Sequence, residues 1–271
     1  MKKDFSVLMP VYCKEKPEHL KQSIESILNQ TIRPKEIVIV KDGILTEELE
    51  EVIKQYKVKE VQIDENVGLG KALKIGVENC SYDIIARMDS DDISLPNRFE
   101  IELKEFEKNP NLVLVGGQFV EFNESGIGKK REVPKDIDSI IKYSKSRNPF
   151  NHVTVMFKKK EILDVGNYHH MPYFEDYYLW ILLIKNNYEL LNLDEVLVYV
   201  RSGEEMLKRR GGIKYVSAIY NFEKELYRLK YIRLNKFLSN MIIRTTVSLI
   251  PNKARKIIYT NILRKWVYID K

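Results

Sequence analysis

Four short apolar runs alternate with three stretches of helical period at the start of this chain. The runs are Phe5-Ser6-Val7-Leu8-Met9, Glu36-Ile37-Val38-Ile39-Val40, Val58 to Ile63, and Tyr82 to Arg87. Between them, residues 18–28 place Leu20, Ile24, Ile27 and Leu28 on one helical face, and residues 46–56 form a second amphipathic helix. A third helix follows Asn66-Val67-Gly68-Leu69-Gly70, with Ala72, Leu73, Ile75, Gly76 and Val77 inside it. Strands alternating with helices of this length predict a parallel sheet covered on both faces. Such sheets bind ligands outside the carboxyl ends of their strands. Pro10 is expected to stop the first strand. Pro10 to Tyr12, Asp42-Gly43, Asn66 to Gly70 and Asp89 to Asp92 then all fall on one edge.

The last of these segments, Met88-Asp89-Ser90-Asp91-Asp92, ends a buried strand. Three carboxylates at that position repel one another, and burying them unpaired is expensive. A hard divalent cation with oxygen ligands fits the cluster, and Mg²⁺ or Mn²⁺ commonly shares itself with substrate phosphates. The other reading is a solvated acidic turn capping the helix that Pro96 begins. Gly68-Leu69-Gly70 is not a dinucleotide fingerprint: it lacks the third glycine and follows the third strand.

Beyond the cluster, residues 97–108 read as a helix ended by Asn109-Pro110. Leu112 to Val120 reads as a strand interrupted by Gly116-Gly117, and residues 121–133 as a hairpin or loop. Residues 135–145 are helical in pattern, Asn148 to His152 is a turn, and Val153 to Phe157 a strand. Tyr173-Phe174-Glu175-Asp176 opens a helix, Leu190 to Val200 includes a strand, and Arg201 to Gly212 is a charged loop. After Gly212, Tyr215, Ile219, Phe222, Leu226 and Leu229 recur at helical spacing.

An apolar fraction of 44% in 271 residues supports a real core. Cys13 and Cys80 are too few for a disulfide framework, and no secretory signal precedes them, so a reducing cytosolic setting is expected. No apolar run is long enough to span a bilayer. The net charge of +6 hides an asymmetry: from Lys208 onward 16 Lys/Arg face 3 Asp/Glu, whereas the preceding residues carry 29 basic and 36 acidic groups. An acidic body needs a cation to approach phosphate, while a basic tail can approach an anionic surface unaided.

Taken together, Ser6-Val7-Leu8-Met9-Pro10-Val11-Tyr12, Val40-Lys41-Asp42-Gly43, Asn66-Val67-Gly68, Asp89-Ser90-Asp91-Asp92 and Glu175-Asp176 resemble a family 2 glycosyltransferase with a GT-A fold. Arg209-Arg210-Gly211-Gly212 and Asn148 to His152 are similar to the branch that builds amylovoran, other exopolysaccharides and capsules. The resemblance covers roughly residues 4–200. It departs at Cys13, where the family usually has Asn, and at Lys41-Asp42, where the family usually has two acids. The implied fold is α/β: a mostly parallel central sheet flanked by helices, with a C-terminal α-helical extension. The implied division is a catalytic domain over 1–210, its nucleotide-binding half about 1–95 and its acceptor half about 96–210, followed by a basic amphipathic region over 211–271.

The resemblance implies an inverting, metal-dependent transfer from a nucleotide-sugar, most often a UDP-sugar, to a saccharide hydroxyl. Asp91 is the expected metal ligand, with Asp89 and Asp92 beside it and Ser90 in the same donor site; Asp92 can equally cap a helix. Asp42 is expected to accept from the ring N–H of the base, or else to be a turn residue before Gly43. Pro10, Val11 and Tyr12 line the same pocket, and Glu15 reaches base or ribose unless it is an exposed helix-entry charge. Gly68 lets backbone approach the donor, and Lys71 meets the diphosphate or solvent. Asp176 is the expected general base; Glu175 and Asp176 are also ordinary first-turn acids. His152 touches acceptor or donor sugar or is structural, and Arg209 and Arg210 close over the diphosphate or form a solvated loop.

From Tyr231 to Trp266, aliphatic residues interleave with Arg233, Lys236, Arg244, Lys253, Arg255, Lys256, Arg264 and Lys265, which suits an anionic membrane surface. The implied setting is the inner face of the cell membrane, with a lipid-linked acceptor. Packing of the tail on the catalytic domain or on a second copy is the other reading, and a homodimer stays open. A sugar nucleotidyltransferase would want a glycine- and lysine-rich loop after the first strand, which Pro10-Val11-Tyr12-Cys13 is not. Nucleic-acid binding would want stacking aromatics among the basic residues, and the tail has aliphatic ones.

Overall fold

The computed structural model describes residues 4–123, 126–202, 211–250 and the backbone of 266–268. Arg209 and Arg210, and the basic residues from Lys253 to Lys265, lie outside the described residues. β1 (Phe5–Val11), β2 (Glu36–Asp42), β3 (Lys59–Ile63) and β4 (Ile84–Arg87) form a parallel block in the order β3-β2-β1-β4. Phe5, Val7, Met9 and Val11 pack on one face with α1 (Pro17–Leu28) and α2 (Glu47–Lys54). Leu8, Val38 and Val40 pack on the other with α3 (Leu69–Asn79). This is the period-two alternation of strands buried on both sides.

The first strand does not stop at Pro10. It continues to Val11, with Pro10 opposite Val40 on β2. The carbonyl of Leu8 accepts from Met88 N, so Leu8, and two residues on Pro10, turn their backbone polar groups toward β4. Pairing with β4 ends at Leu8 opposite Arg87. The missing N–H of Pro10 therefore falls where there is no ladder bond to lose.

Beyond β4 the sheet becomes mixed. β8 (Met156–Lys158) runs antiparallel to β4 and to β6 (Leu112–Asn123), and β7 (Gly126–Arg131) folds back on β6. β9 (Glu189–Arg201) runs parallel to β6 and carries the two-residue β5 (Ile93–Ser94). The apolar run 153–157 opens as a 3₁₀ turn, His152–Thr154, because the Thr154 hydroxyl donates to Asn151 O at 2.8 Å. β6 shifts register between Gly116 and Gln118. A Cβ on Gly116 would lie 2.7 Å from Asn192 Oδ1, and one on Gly117 2.5 Å from Leu197 Cδ1, so the glycine pair admits the neighbouring chain. α4 (Arg98–Lys108), α5 (Ile137–Ser144), α6 (Lys159–Asp164) and α7 (Glu175–Lys185) complete this half.

α8 (Ile213–Arg228) and α9 (Leu234–Leu249) follow, and α8 shares a third apolar cluster with α7. Phe174 stacks on Phe222 with ring centroids 4.5 Å apart, and Tyr177 lies 4.6 Å from the same ring. Burying a ring such as Phe222 contributes about 2–3 kcal/mol. Two residues expected on a lipid-facing tail lie elsewhere. Arg244 is inserted among Phe174, Tyr177 and Phe222 and pairs with Glu223 at 3.1 Å, because a delocalised guanidinium tolerates an aromatic box when a carboxylate neutralises it. Trp266 belongs to β10 (Trp266–Tyr268), which pairs antiparallel with β7 and not with a helical face.

Candidate active site

β4 delivers Arg87 into the interior, and the chain turns at once through Asp89-Ser90-Asp91-Asp92 into β5. Arg87 is buried and grips Asp89 in the two-pronged manner of guanidinium and carboxylate, with Nη1 donating to Oδ2 at 2.6 Å and Nη2 to Oδ1. Asp92 Oδ1 accepts from Arg201 N at 2.8 Å, and Asp91 O accepts from Arg201 Nε at 3.0 Å. Ser90 donates to Glu15 Oε2 at 2.9 Å, and Ser23 donates to Asp89 O at 2.8 Å.

Carboxylate oxygens of Asp89, Asp91 and Asp92 lie within 4.8 Å of one another. Burial, then the charges of Asp89 and Glu15, push Asp91 up to about 7. Burial, then Asp89 and Asp91, hold Asp92 well above the usual carboxylate range. Arg87 opposes both shifts but does not cancel them. A group of hard oxygens that cannot all ionise together fits a divalent cation, which would relieve the repulsion. Asp91 and Asp92 would hold it, with the exposed side of Asp89.

The neighbouring carboxyl end is set by Asp42. Its oxygens accept from Val67 N at 2.7 Å, Gly68 N at 3.1 Å and Asn66 Nδ2 at 3.1 Å, so this acid closes the loop that starts α3. Gly43 has φ 89° and Gly68 φ 86°, a region that suits glycine. Lys41 points away from the edge, toward Glu50 at 3.0 Å and Glu60 at 2.9 Å. Pro10 and Val11 are buried, Tyr12 is half-buried and Lys71 is exposed.

From the other half, α7 brings Glu175 and Asp176. A Cβ on Gly70 would lie 2.5 Å from Glu175 Cγ, so the first turn of α7 sits directly on the first turn of α3. Asp176 Oδ2 accepts from Asn148 Nδ2 at 2.6 Å. Burial raises Asp176, opposed by Asn148, the Tyr177 N–H, Arg87 and Arg131. Burial, with the charge of Asp176 adding, pushes Glu175 up to about 7. His152 is half-buried: its Nε2 meets the Tyr168 hydroxyl at 2.8 Å, its ring packs on Trp180, and burial, then Arg87, holds it well below the usual imidazole range.

Four side chains that the sequence reading did not assign bear on this site: Arg87, Arg201, Arg131 and Asn148. A cation inside an otherwise apolar strand was a visible sign for Arg87. Arg201 carries no local signal, since it meets Asp91 from 110 residues away.

A half-parallel α/β sheet with an acid cluster at the end of β4, and an acidic helix start in reach of the same buried Arg87, is the arrangement of a GT-A-type glycosyltransferase. The chain matches the family model described as Glycosyl transferase family 2 over residues 6–176, and it belongs to that family. It is 38% identical over 263 residues to the amylovoran biosynthesis glycosyltransferase AmsE of Erwinia amylovora, spanning 94% of this chain and 97% of that one. It is 39% identical over 269 residues to the UDP-Gal:alpha-D-GlcNAc-diphosphoundecaprenol beta-1,3-galactosyltransferase of Escherichia coli, spanning 97% of this chain and 98% of that one. Among solved structures, S. aureus TarS 1–349 in complex with UDP-GlcNAc superposes with a TM-score of 0.66 at 17% identity, over 89% of this chain and 72% of that one. The chain is thus a glycosyltransferase, and the nucleotidyltransferase alternative falls.

Because Glu175 is raised from its ordinary 4.5, the parent keeps that residue's full stability below about pH 4.5 and loses it as pH rises through about 7. Glu175→Gln, which mimics the protonated acid, is expected to melt above the parent at pH 8. The two melting temperatures should converge as pH falls toward 4.5; a gap independent of pH would contradict the burial of this carboxyl.

Proposed function

We propose that this chain transfers a sugar from a UDP-sugar to a hydroxyl of a lipid-linked saccharide, with inversion, during synthesis of a cell-surface polysaccharide. The observation that carries this reading is that two acid groups from different elements share the field of one buried cation, Arg87. Asp91 and Asp92 crowd with Asp89, and Asp176, half-buried, is held by Asn148. The E. coli relative, a galactosyltransferase from UDP-Gal to a diphosphoundecaprenol-linked sugar, supports the donor and acceptor classes.

Asp91, with Asp89 and Asp92, would hold Mn²⁺ or Mg²⁺, and the ion when bound stabilises charge on the departing diphosphate as a Lewis acid. Asp42 binds the base: three protein donors sit on its two oxygens, leaving acceptor capacity for a ring N–H. Pro10, Val11 and Tyr12 line that pocket, Glu15 is steered to the donor by Ser90, and Gly68 and Lys71 lie at the open start of α3. Asp176 takes the proton of the incoming hydroxyl, and attack opposite the leaving group requires only that one base. Glu175 and His152 shape the acceptor side, and Arg209 and Arg210, outside the described residues, would supply positive charge to the diphosphate. Asp176→Asn is expected to lower transfer about 10²–10⁴-fold while leaving UDP affinity within about twofold. An Asn variant that still transfers would reject the assignment.

The same reading places the enzyme on an anionic membrane. No helix among the described residues is long and apolar enough to cross a bilayer. Ile213, Tyr220 and Tyr227 on α8 and Leu238, Ile242 and Leu249 on α9 are exposed. Exposed Lys214, Lys224, Lys230 and Arg233 accompany them, and Lys224 lies over the Tyr220 ring at 5.9 Å. Such a face rests at a headgroup boundary, with lysine stems reaching out to phosphate. Leu238→Glu with Ile242→Glu is expected to lower co-sedimentation with phosphatidylglycerol vesicles about tenfold or more. Unchanged sedimentation, or a parent dimer that this variant splits, would overturn the membrane assignment.

A further inference from the structure

Between β7 and β8 a five-residue turn, Asn148-Pro149-Phe150-Asn151-His152, is held more firmly than a connection requires. Asn192 Nδ2, from β9, donates to Pro149 O at 3.0 Å and to Pro134 O at 2.7 Å. Asn151 Nδ2 donates to Gly117 O at 2.9 Å. Phe150 is fully buried, its ring 5.5 Å from that of Trp180 on α7. The turn fits only because β6 carries glycine beneath it: a Cβ on Gly116 would meet Asn192 Oδ1 at 2.7 Å and Phe150 Cδ1 at 3.1 Å. The glycine interruption of β6 thus clears a seat for one rigid turn, and the first residue of that turn is Asn148.

Asn148 is itself oriented. Its Oδ1 accepts from Phe150 N at 3.3 Å, which leaves Nδ2 to face Asp176 Oδ2 at 2.6 Å. An amide whose oxygen is engaged by a backbone N–H cannot flip without losing both bonds. Asp176 stands at the start of α7, which is separately seated on α3 through Glu175 and Gly70. Base and donor are therefore fixed by different parts of the fold and meet at this one bond.

We propose that Asn148 is the positioning residue of this site: its amide fixes Oδ2 of Asp176 and leaves Oδ1 to receive the acceptor's proton. The inference rests on Asp176 as the general base. As the acceptor oxygen bonds to the anomeric carbon and the bond to the diphosphate breaks, the hydroxyl proton passes to Oδ1, and the diphosphate leaves with the electron pair. A carboxylate free to rotate would present either oxygen, and much of its alignment would be lost.

The bond also acts on the charge of the base. A donor to the ionised form favours that form, so the amide keeps Asp176 ready to accept a proton where burial works against it. Other groups face the same carboxylate: Arg87 from β4 and Arg131 from β7 favour its charge. Glu175 on its own helix and the Tyr168 hydroxyl before α7 lie close enough to feel it. The Tyr177 N–H of its own helix favours the charge as well, and Asn148 is the side-chain donor that a different part of the fold brings to Oδ2.

The test is the pH dependence of kcat/KM for sugar transfer by the full chain, alongside UDP titration and melting temperature, in Asn148→Asp, Asn148→Ala and Asp176→Asn. Asn148→Asp keeps the shape and replaces a donor with an acceptor, so the acid limb of its profile should move up by about one unit or more. Asn148→Ala should move the limb the same way and lower the plateau about tenfold or more. UDP affinity should hold in both. An unmoved acid limb in Asn148→Asp overturns the proposal, including the case in which Asn148→Ala only lowers the melting temperature. Asp176→Asn separates the two failures. If it still transfers, the base assignment itself falls and the role of Asn148 with it. If it is inactive and the limb is unmoved, only the role of Asn148 falls.

Discussion

The site is organised by a guanidinium that has almost no contact with water. Arg87 is buried, and a lone charge in that position would cost several kcal/mol. Asp89 meets it with both oxygens, and the carboxyl of Asp92 adds favourable potential. The cation is thereby tied to the turn that carries the acid cluster. Arg98 on α4 reinforces the tie by donating to the Arg87 carbonyl at 2.8 Å, while its own charge is paired with Glu102 at 3.1 Å. The turn after β4 is thus held by two buried arginines. The charge of Arg87 also reaches His152 and Asp176, so one group biases the acid cluster, His152 and Asp176 together.

This arrangement joins the halves of the molecule. The parallel block supplies β4, the Asp42 loop and the start of α3; the mixed half supplies α7, the Asn148 turn and Arg201. Contact between them is close where Gly70 receives Glu175. It is polar where Arg201 spans Asp91, Asp92 and Gln22 while its guanidinium covers Phe122 at 4.6 Å. Side chains from separate parts of the chain thus complete one site, as positioning by a rigid scaffold requires.

Much of this was legible in the sequence, for physical reasons. In the parallel block β1, β2 and β4 are short and buried on both faces, so composition alone marks them, and the strand order places Asp42, Gly68 and Asp91 on one edge. The family followed from the same ordered segments. What was not legible depends on long-range pairing. Pro10 lies inside a strand because β4 has already left that side of β1. The antiparallel β8 is only three residues long and begins after a 3₁₀ turn, which its apolar run does not announce. The bond between Asn148 and Asp176 joins a loop to the first turn of a helix, which only the folded sheet brings together. Arg244 looks like one more basic tail residue until Glu223 and three aromatic rings enclose it.

Under the proposed function, the acids after β4 would hold a cation that supports binding of the donor's diphosphate. Calorimetric titration of UDP into the parent and into Asp91→Asn, in Mn²⁺ and in chelator, tests it most directly. The account predicts that the parent binds UDP about tenfold or more tightly with Mn²⁺ than without, and that Asp91→Asn loses this dependence. Equal UDP affinity with and without Mn²⁺ in the parent, or a full Mn²⁺ effect in Asp91→Asn, would contradict it.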